Sequence, residues 1–175
     1  MSFFMKVRNL VRRENPTAYW RTKGAQIGKG SEIYPTAILG SEPYLIRIGE
    51  NVRITNGVRF ITHDGGAWVL RNLKQEYQNI DIIQPIKIGN NVHVGINAVI
   101  MPGVNIGSNC IIGCGAIVTK DIPDNSIAVG IPAKVIETIA EYEQKHKDDF
   151  LYTKNMPADE KRRYLINLFN EEIKK

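Results

Sequence analysis

The sequence of 175 residues is poor in the groups that announce most chemistries: it has two cysteines, three histidines and two tryptophans. Cys110 and Cys114 lie four positions apart in a stretch that reads as extended, which holds their Cα atoms beyond the roughly 7 Å that a disulfide spans. Free thiols and a cytoplasmic setting are therefore expected. No apolar run approaches the ~20 residues of a membrane span. The opening MSFFMKVRNLVRRENP places Phe3, Phe4, Val7, Leu10 and Val11 at helical spacing, but its apolar run is too short for a secretory signal and it has no cleavage site. It reads as a short amphipathic helix packing on the core rather than a membrane-surface anchor. The net charge of +5 comes from dispersed lysines and arginines without an accompanying motif, which argues against nucleic acid as partner. The length suits one domain with a small helical appendage.

A repeat is abundant instead. An apolar residue recurs every six positions at Ile88, Val94, Ile100, Ile106, Ile112 and Val118. A second column follows four residues behind it: Val92, Ala98, Val104, Cys110, Ala116 and Ile122. Glycine succeeds the first column at Gly89, Gly95, Gly107 and Gly113, where a tight corner is expected to need permissive backbone angles and no Cβ. A unit of six is a short strand plus a corner, and successive units wrap into a solenoid whose side chains stack inside. The pattern starts near residue 25 and is less strict before residue 88. It breaks briefly at 41–44 and at length from His63 to Pro85, and long excursions from a repeat are commonly functional. Beyond Pro132 the chain becomes charged and glycine-free, which predicts two helices, the last opened by Pro157.

The segment IGNNVHVGINAVIMPGVNIGSNCIIGCGAIVTKDIPDNSIAVGIPAKVI, residues 88–136, resembles the left-handed parallel β-helix, hexapeptide-repeat acetyltransferases. That family includes maltose and galactoside, xenobiotic, and capsular or lipopolysaccharide O-acetyltransferases. The PGV-x-IG corner, the TKD-IP stretch and the G-x-PAK exit carry the resemblance, which covers roughly residues 25–136. It implies a mainly β fold, a left-handed helix of three hexapeptides per coil, a homotrimer, and acetyl-CoA as co-substrate. The expected organisation is an N-terminal helical segment (1–24), a β-helix catalytic domain (25–136) with an inserted loop (64–86), and a C-terminal helical appendage (137–175). Eighteen residues per coil would stack Val92 over Cys110 and Ala98 over Ala116.

Acetyl transfer from a thioester to a hydroxyl needs a base, an oxyanion donor and a site for the coenzyme. His63, in FITHDGG, stands where the repeat breaks and matches the catalytic histidine of the family. Imidazole is substantially neutral near neutrality and accepts a proton. Asp64 and Glu42 are candidates to orient it or to bind acceptor hydroxyls, since a carboxylate on one ring nitrogen sets the tautomer. His93 replaces the tryptophan of the family's V-W-I-G segment and reads as an outward groove wall. His146 reads as solvated. For coenzyme A the resemblance points to Gly95, Gly113 and Cys114 along the pantetheine, with Thr119, Lys120 and Lys134 nearer the nucleotide. Where galactoside-type enzymes carry G-S-H this sequence has Gly95-Ile96-Asn97, so the serine donor is absent; Asn97 is a candidate to substitute for it or to bind the acceptor, and a backbone N–H is the expected oxyanion donor. Trp68, Arg71 and Tyr77 in the insertion suit either a sugar face or a neighbouring protomer. The expected acceptor is a sugar or a sugar-containing envelope precursor. Antibiotic acetylation, a non-catalytic scaffold and a zinc enzyme like the γ-carbonic anhydrases are the alternatives. The last needs three histidine ligands with a close pair, which the sequence lacks, so no metal is expected.

Overall fold

The computed structural model describes residues 14–170, so the helix expected over Phe3 to Val11 lies outside the described residues. The chain divides into two compact units, residues 1–141 and 142–175.

The first unit is a parallel β-helix of short strands. One coil comprises β1 (Gln26–Ile27), β2 (Glu32–Ile33) and β3 (Ile38–Leu39), and the next β4 (Ile46–Ile48), β5 (Arg53–Ile54) and β6 (Arg59–Phe60). Two more follow: β7 (Ile86–Ile88), β8 (Val92–Val94) and β9 (Val99–Ile100), then β10 (Asn105–Ile106), β11 (Cys110–Ile112) and β12 (Ile117–Val118). Strands at the same place in each coil form three parallel sheets, β1-β4-β7-β10, β2-β5-β8-β11 and β3-β6-β9-β12. Strand alternation puts every second side chain inside. The first apolar column, Ile88 to Val118, is at most 4% exposed and the second, Val92 to Ile122, at most 5%. Cys110 pairs with Val92 and Ile112 with Val94, the eighteen-residue register expected.

The glycines after the first column do a different job from the one expected. Gly89, Gly95, Gly107 and Gly113 have no positive φ. A Cβ on Gly89 would meet the Gly107 carbonyl carbon and the Ser108 nitrogen at 2.7 Å, and one on Gly95 the Cys114 nitrogen at 2.6 Å. The missing side chain makes room for the next coil. The left-handed backbone that turns the first corner belongs to asparagines: Asn51, Asn91, Asn109 and Asn125 have φ between 53° and 58°. Asparagine tolerates that region because its short amide bonds locally. Here the amides also bond from coil to coil, Asn91 Nδ2 donating to Asn109 Oδ1 and Asn109 Nδ2 to Asn125 Oδ1, each at 2.9 Å. Asn109→Ala is expected to cost about 2 kcal/mol, from left-handed strain plus two lost hydrogen bonds. A denaturation midpoint for Asn109→Gly lying between wild type and alanine would separate the two contributions.

Both ends of the stack are covered. Helix α1 (Pro16–Thr22), capped by the Asn15 side chain, buries Trp20 against the first coil. Thr17 Oγ1 accepts from the Ile33 amide at 2.9 Å, and Arg21 Nη2 donates to the carbonyls of Ile27 and Gly28. These bonds satisfy backbone groups that a missing coil would leave open. At the other end β13 (Ser126–Val129) continues the second sheet and β14 (Lys134–Thr138) pairs with it antiparallel. The stretch expected to become helical straight after Pro132 is therefore a strand first, in keeping with its β-branched Val135, Ile136 and Thr138. Helix α3 (Ile139–His146) starts only after a capping box, in which Glu141 accepts from the Thr138 amide and hydroxyl while Thr138 Oγ1 accepts from the Glu141 amide.

The second unit takes in the rest of α3, a 3-10 turn (Lys147–Asp149) and a helix α4 (Ala158–Leu168) directly after Pro157. His146 meets the Tyr142 ring at a tilt of 51° with centroids 4.5 Å apart and has Asp149 3.5 Å from Nδ1. No helix among the described residues is long and apolar enough to cross a membrane.

Candidate active site

The third corner, between the third sheet and the first, is where the two breaks in the repeat emerge. The shorter break carries a 3-10 turn (Pro43–Leu45) preceded by Glu42. The longer one has a two-stranded neck, in which His63 bridges Ile83, the Asp64 amide donates to the Ile82 carbonyl at 2.8 Å, and the Gln84 amide to the Thr62 carbonyl at 2.9 Å. Between the strands of the neck lie helix α2 (Ala67–Leu73) and a 3-10 turn (Gln75–Tyr77). The insertion is thus partly helical, consistent with the good helix formers Ala67, Leu70, Arg71 and Leu73. Arg71 ties the helix to the returning chain, its Nε donating to the Ile80 carbonyl at 2.7 Å and its Nη2 pairing with Asp81.

Coil stacking sets the two breaks one above the other and opens a cleft of ≈380 Å³ lined by His63, Glu42, Asp64, Trp68, Arg71 and Asp81. The His63 side chain is 49% exposed, and its Nδ1 lies 3.6 Å from Oε2 of Glu42, a carboxylate only 17% exposed. The separation exceeds a hydrogen bond. Thr62, fully buried, donates its hydroxyl to the same Glu42 oxygen. Asp64 Oδ1 instead accepts from the Gly66 amide at 2.8 Å in a local turn. Of the two carboxylates proposed from sequence, Glu42 is the one that meets the ring. Trp68, 66% exposed, presents its indole at the cleft.

His93 lies elsewhere. It points outward from β8 in register with Arg53, whose Nε donates to Glu32 at 3.2 Å, and it lines a separate cleft of ≈440 Å³ on the second sheet. Partial burial, and secondarily the Arg53 charge, lower its pKa below the ordinary imidazole value. It does not join His63, which lines the other cleft. Asn97 turns the second corner with φ 60°, a conformation that accounts for its residue type. Gly95, Gly113 and Cys114 share that corner position, the first two being glycine because the next coil and Val129 press on them. Cys114 is exposed and Cys110 buried, both free. Thr119 and Lys120 follow β12, Lys134 opens β14, and all three are exposed. Among the described residues no group of three His, Cys, Asp or Glu side chains is placed to hold a metal.

Sequence reasoning passed over Thr62 and Asp81. Thr62 adjoins His63 and could have been found by stacking the two breaks. Asp81 sits in an irregular stretch with no periodic signal.

The family model described as bacterial transferase hexapeptide (six repeats) matches residues 85–120. Protein CapG of Staphylococcus aureus is 48% identical over 153 residues, 86% of this chain and 87% of CapG. The galactoside O-acetyltransferase of Escherichia coli (strain K12) is 40% identical over 125 residues, 71% of this chain but 59% of that enzyme. Among solved structures, a galactoside acetyltransferase in complex with coenzyme A superposes with a TM-score of 0.58 at 28% identity, covering 86% of this chain and 84% of that one. A maltose O-acetyltransferase from Clostridium difficile 630 does so with 0.57 at 28% identity, covering 77% and 84%.

Proposed function

The chain belongs to the hexapeptide-repeat acetyltransferases, left-handed parallel β-helix acyltransferases, and from that premise we propose that it transfers acetyl from acetyl-CoA to a hydroxyl of a sugar or sugar-containing envelope precursor, with His63 as general base. One observation carries the reading: the single histidine at the break in the repeat faces a cleft that a tryptophan also lines.

His63 Nε2 takes the proton of the acceptor hydroxyl as its oxygen bonds to the acetyl carbonyl carbon. The carbon–sulfur bond breaks, and His63 returns the proton to the departing thiolate. A backbone N–H stabilises the charge on the carbonyl oxygen. Coenzyme A supplies the activated acetyl as a thioester. Its phosphates suit the exposed cations Lys120 and Lys134, with Thr119 beside them, and its pantetheine the corner of Gly95, Gly113 and Cys114. The relative solved with coenzyme A bound supports acetyl-CoA as the co-substrate. The exposed Trp68 ring suits the apolar face of a sugar, and Asp64 and Asp81 at the same cleft suit its hydroxyls. The assembly in this reading is a homotrimer, and the exposed Val69, Leu73 and Ile83 on the insertion suit burial between copies. The enzyme acts in the cytoplasm, where its free thiols persist.

The test is release of coenzyme A from acetyl-CoA with a panel of galactosides, glucosides, nucleotide sugars, chloramphenicol and a streptogramin. Acceleration by a sugar and not by the antibiotics is expected. Turnover with the antibiotics alone would replace the acceptor assignment, and no binding of coenzyme A by calorimetry would leave a scaffold.

A further inference from the structure

Thr62 is a fully buried hydroxyl for which the reaction above has no use. It precedes His63 on the long break, and its Oγ1 donates to Glu42 Oε2 on the short break one coil below. Gly40 keeps that contact open, because a Cβ there would stand 2.7 Å from Thr62 Oγ1. Glu42 has little freedom of its own. Its carbonyl accepts from the Leu45 amide at 3.0 Å in the 3-10 turn, and the next residue, Pro43, is buried. A carboxylate so largely withdrawn from water needs partners. Those within reach are the Thr62 hydroxyl and the His63 ring, whose Nδ1 lies 3.6 Å from the same oxygen.

We propose that Glu42 and Thr62 are positioning residues for His63: Thr62 pins the carboxylate, the carboxylate accepts from His63 Nδ1–H, and Nε2 is left bare toward the cleft. This rests on the reading of His63 as the base. The ring nitrogen that carries the proton is set by what the other nitrogen meets. A fixed carboxylate at Nδ1 therefore selects the tautomer able to take a hydroxyl proton at Nε2, and it steadies the imidazolium that follows. The two breaks are then parts of one device. The short one supplies the orienting anion, the long one supplies the base, and a threonine in the wall of the solenoid locks them together.

The tautomer can be observed without an acceptor. Full-length protein labelled with 15N-histidine, at a pH above ~8 where an ordinary imidazole is neutral, is expected to show the His63 ring protonated at Nδ1, the signal being assigned by its loss in His63→Gln. Glu42→Gln sets an amide beside the ring and is expected to move the proton toward Nε2. Thr62→Val should do so partially and Thr62→Ser not at all. In turnover, Glu42→Gln should lower kcat about 10- to 100-fold, as a misaligned reacting group does, with KM for acetyl-CoA unchanged and with Thr62→Ser retaining wild-type kcat. Should Thr62→Val fail to fold, Glu42→Gln and Thr62→Ser still decide. A wild-type ring protonated at Nε2, or a tautomer indifferent to Glu42→Gln, would overturn the proposal. So would a raised acceptor KM at constant kcat, which would make Glu42 an acceptor ligand. If His63→Ala kept full turnover, the base assignment would fail while the tautomer result still reported on the contact, so the two failures are distinguishable.

Discussion

Alanine at position 63 is expected to lower kcat for acetyl transfer by about 10²- to 10⁴-fold, the usual contribution of a positioned general base. The fold should survive, because the side chain is half exposed and the backbone bridge to Ile83 does not use the ring. KM for acetyl-CoA should change little, since Lys120, Lys134 and the second corner are separate from this cleft. The loss should appear in kcat and kcat/KM together, the mark of an interaction made in the transition state. If Glu42 acts only through the ring, adding Glu42→Gln to His63→Ala should cost nothing more, since groups working as a unit are strongly non-additive. A folded His63→Ala protein with undiminished turnover would remove His63 from the mechanism, and with it the reason for the cleft.

The largest stability effect is expected at a glycine of ordinary conformation. Gly28, Gly49, Gly89 and Gly107 stand at equivalent points of the first corner, each with the next coil where a Cβ would be. Gly89→Ala would bring its methyl to 2.7 Å from backbone atoms of Gly107 and Ser108, neither of which can move aside by changing rotamer. The coils must part, so a cost of about 3 kcal/mol is expected, the upper part of the overpacking range. Gly115→Ala is the contrast. Gly115 has φ 70° but nothing within 4 Å of a Cβ, so only conformational strain is added, about 1 kcal/mol. Denaturant unfolding of both variants at one protein concentration compares them, and a larger loss at Gly115 would mean that backbone angle, not coil spacing, governs these corners. Concentration must be held constant because assembly shifts apparent stability.

The amino-acid sequence by itself determined the solenoid and its inside. Each hexapeptide states the same burial rule, while the three hexapeptides per coil that set Val92 over Cys110 were implied by the family resemblance and agree with the strand pairing. It also marked the candidate site, because His63 falls where the rule lapses. Tertiary structure decided the rest. The glycines follow a regular pattern for a reason that lies in the adjacent coil, so the sequence suggested permissive angles where close stacking is the cause. The β-branched Val135, Ile136 and Thr138 favour a strand, but the edge of β13 that they pair with is supplied only by the fold. Glu42 and Asp64 were equal candidates on paper, and Asp64, the neighbour in sequence, is engaged in its own turn. Glu42 reaches the ring from twenty-one residues away because one coil returns the chain to the same corner and brings Thr62 and His63 directly above it. Periodic burial is a local property that a sequence can spell out unit by unit. Which irregular breaks face one another depends on the closure of whole coils, and that is where the His63 cleft was made.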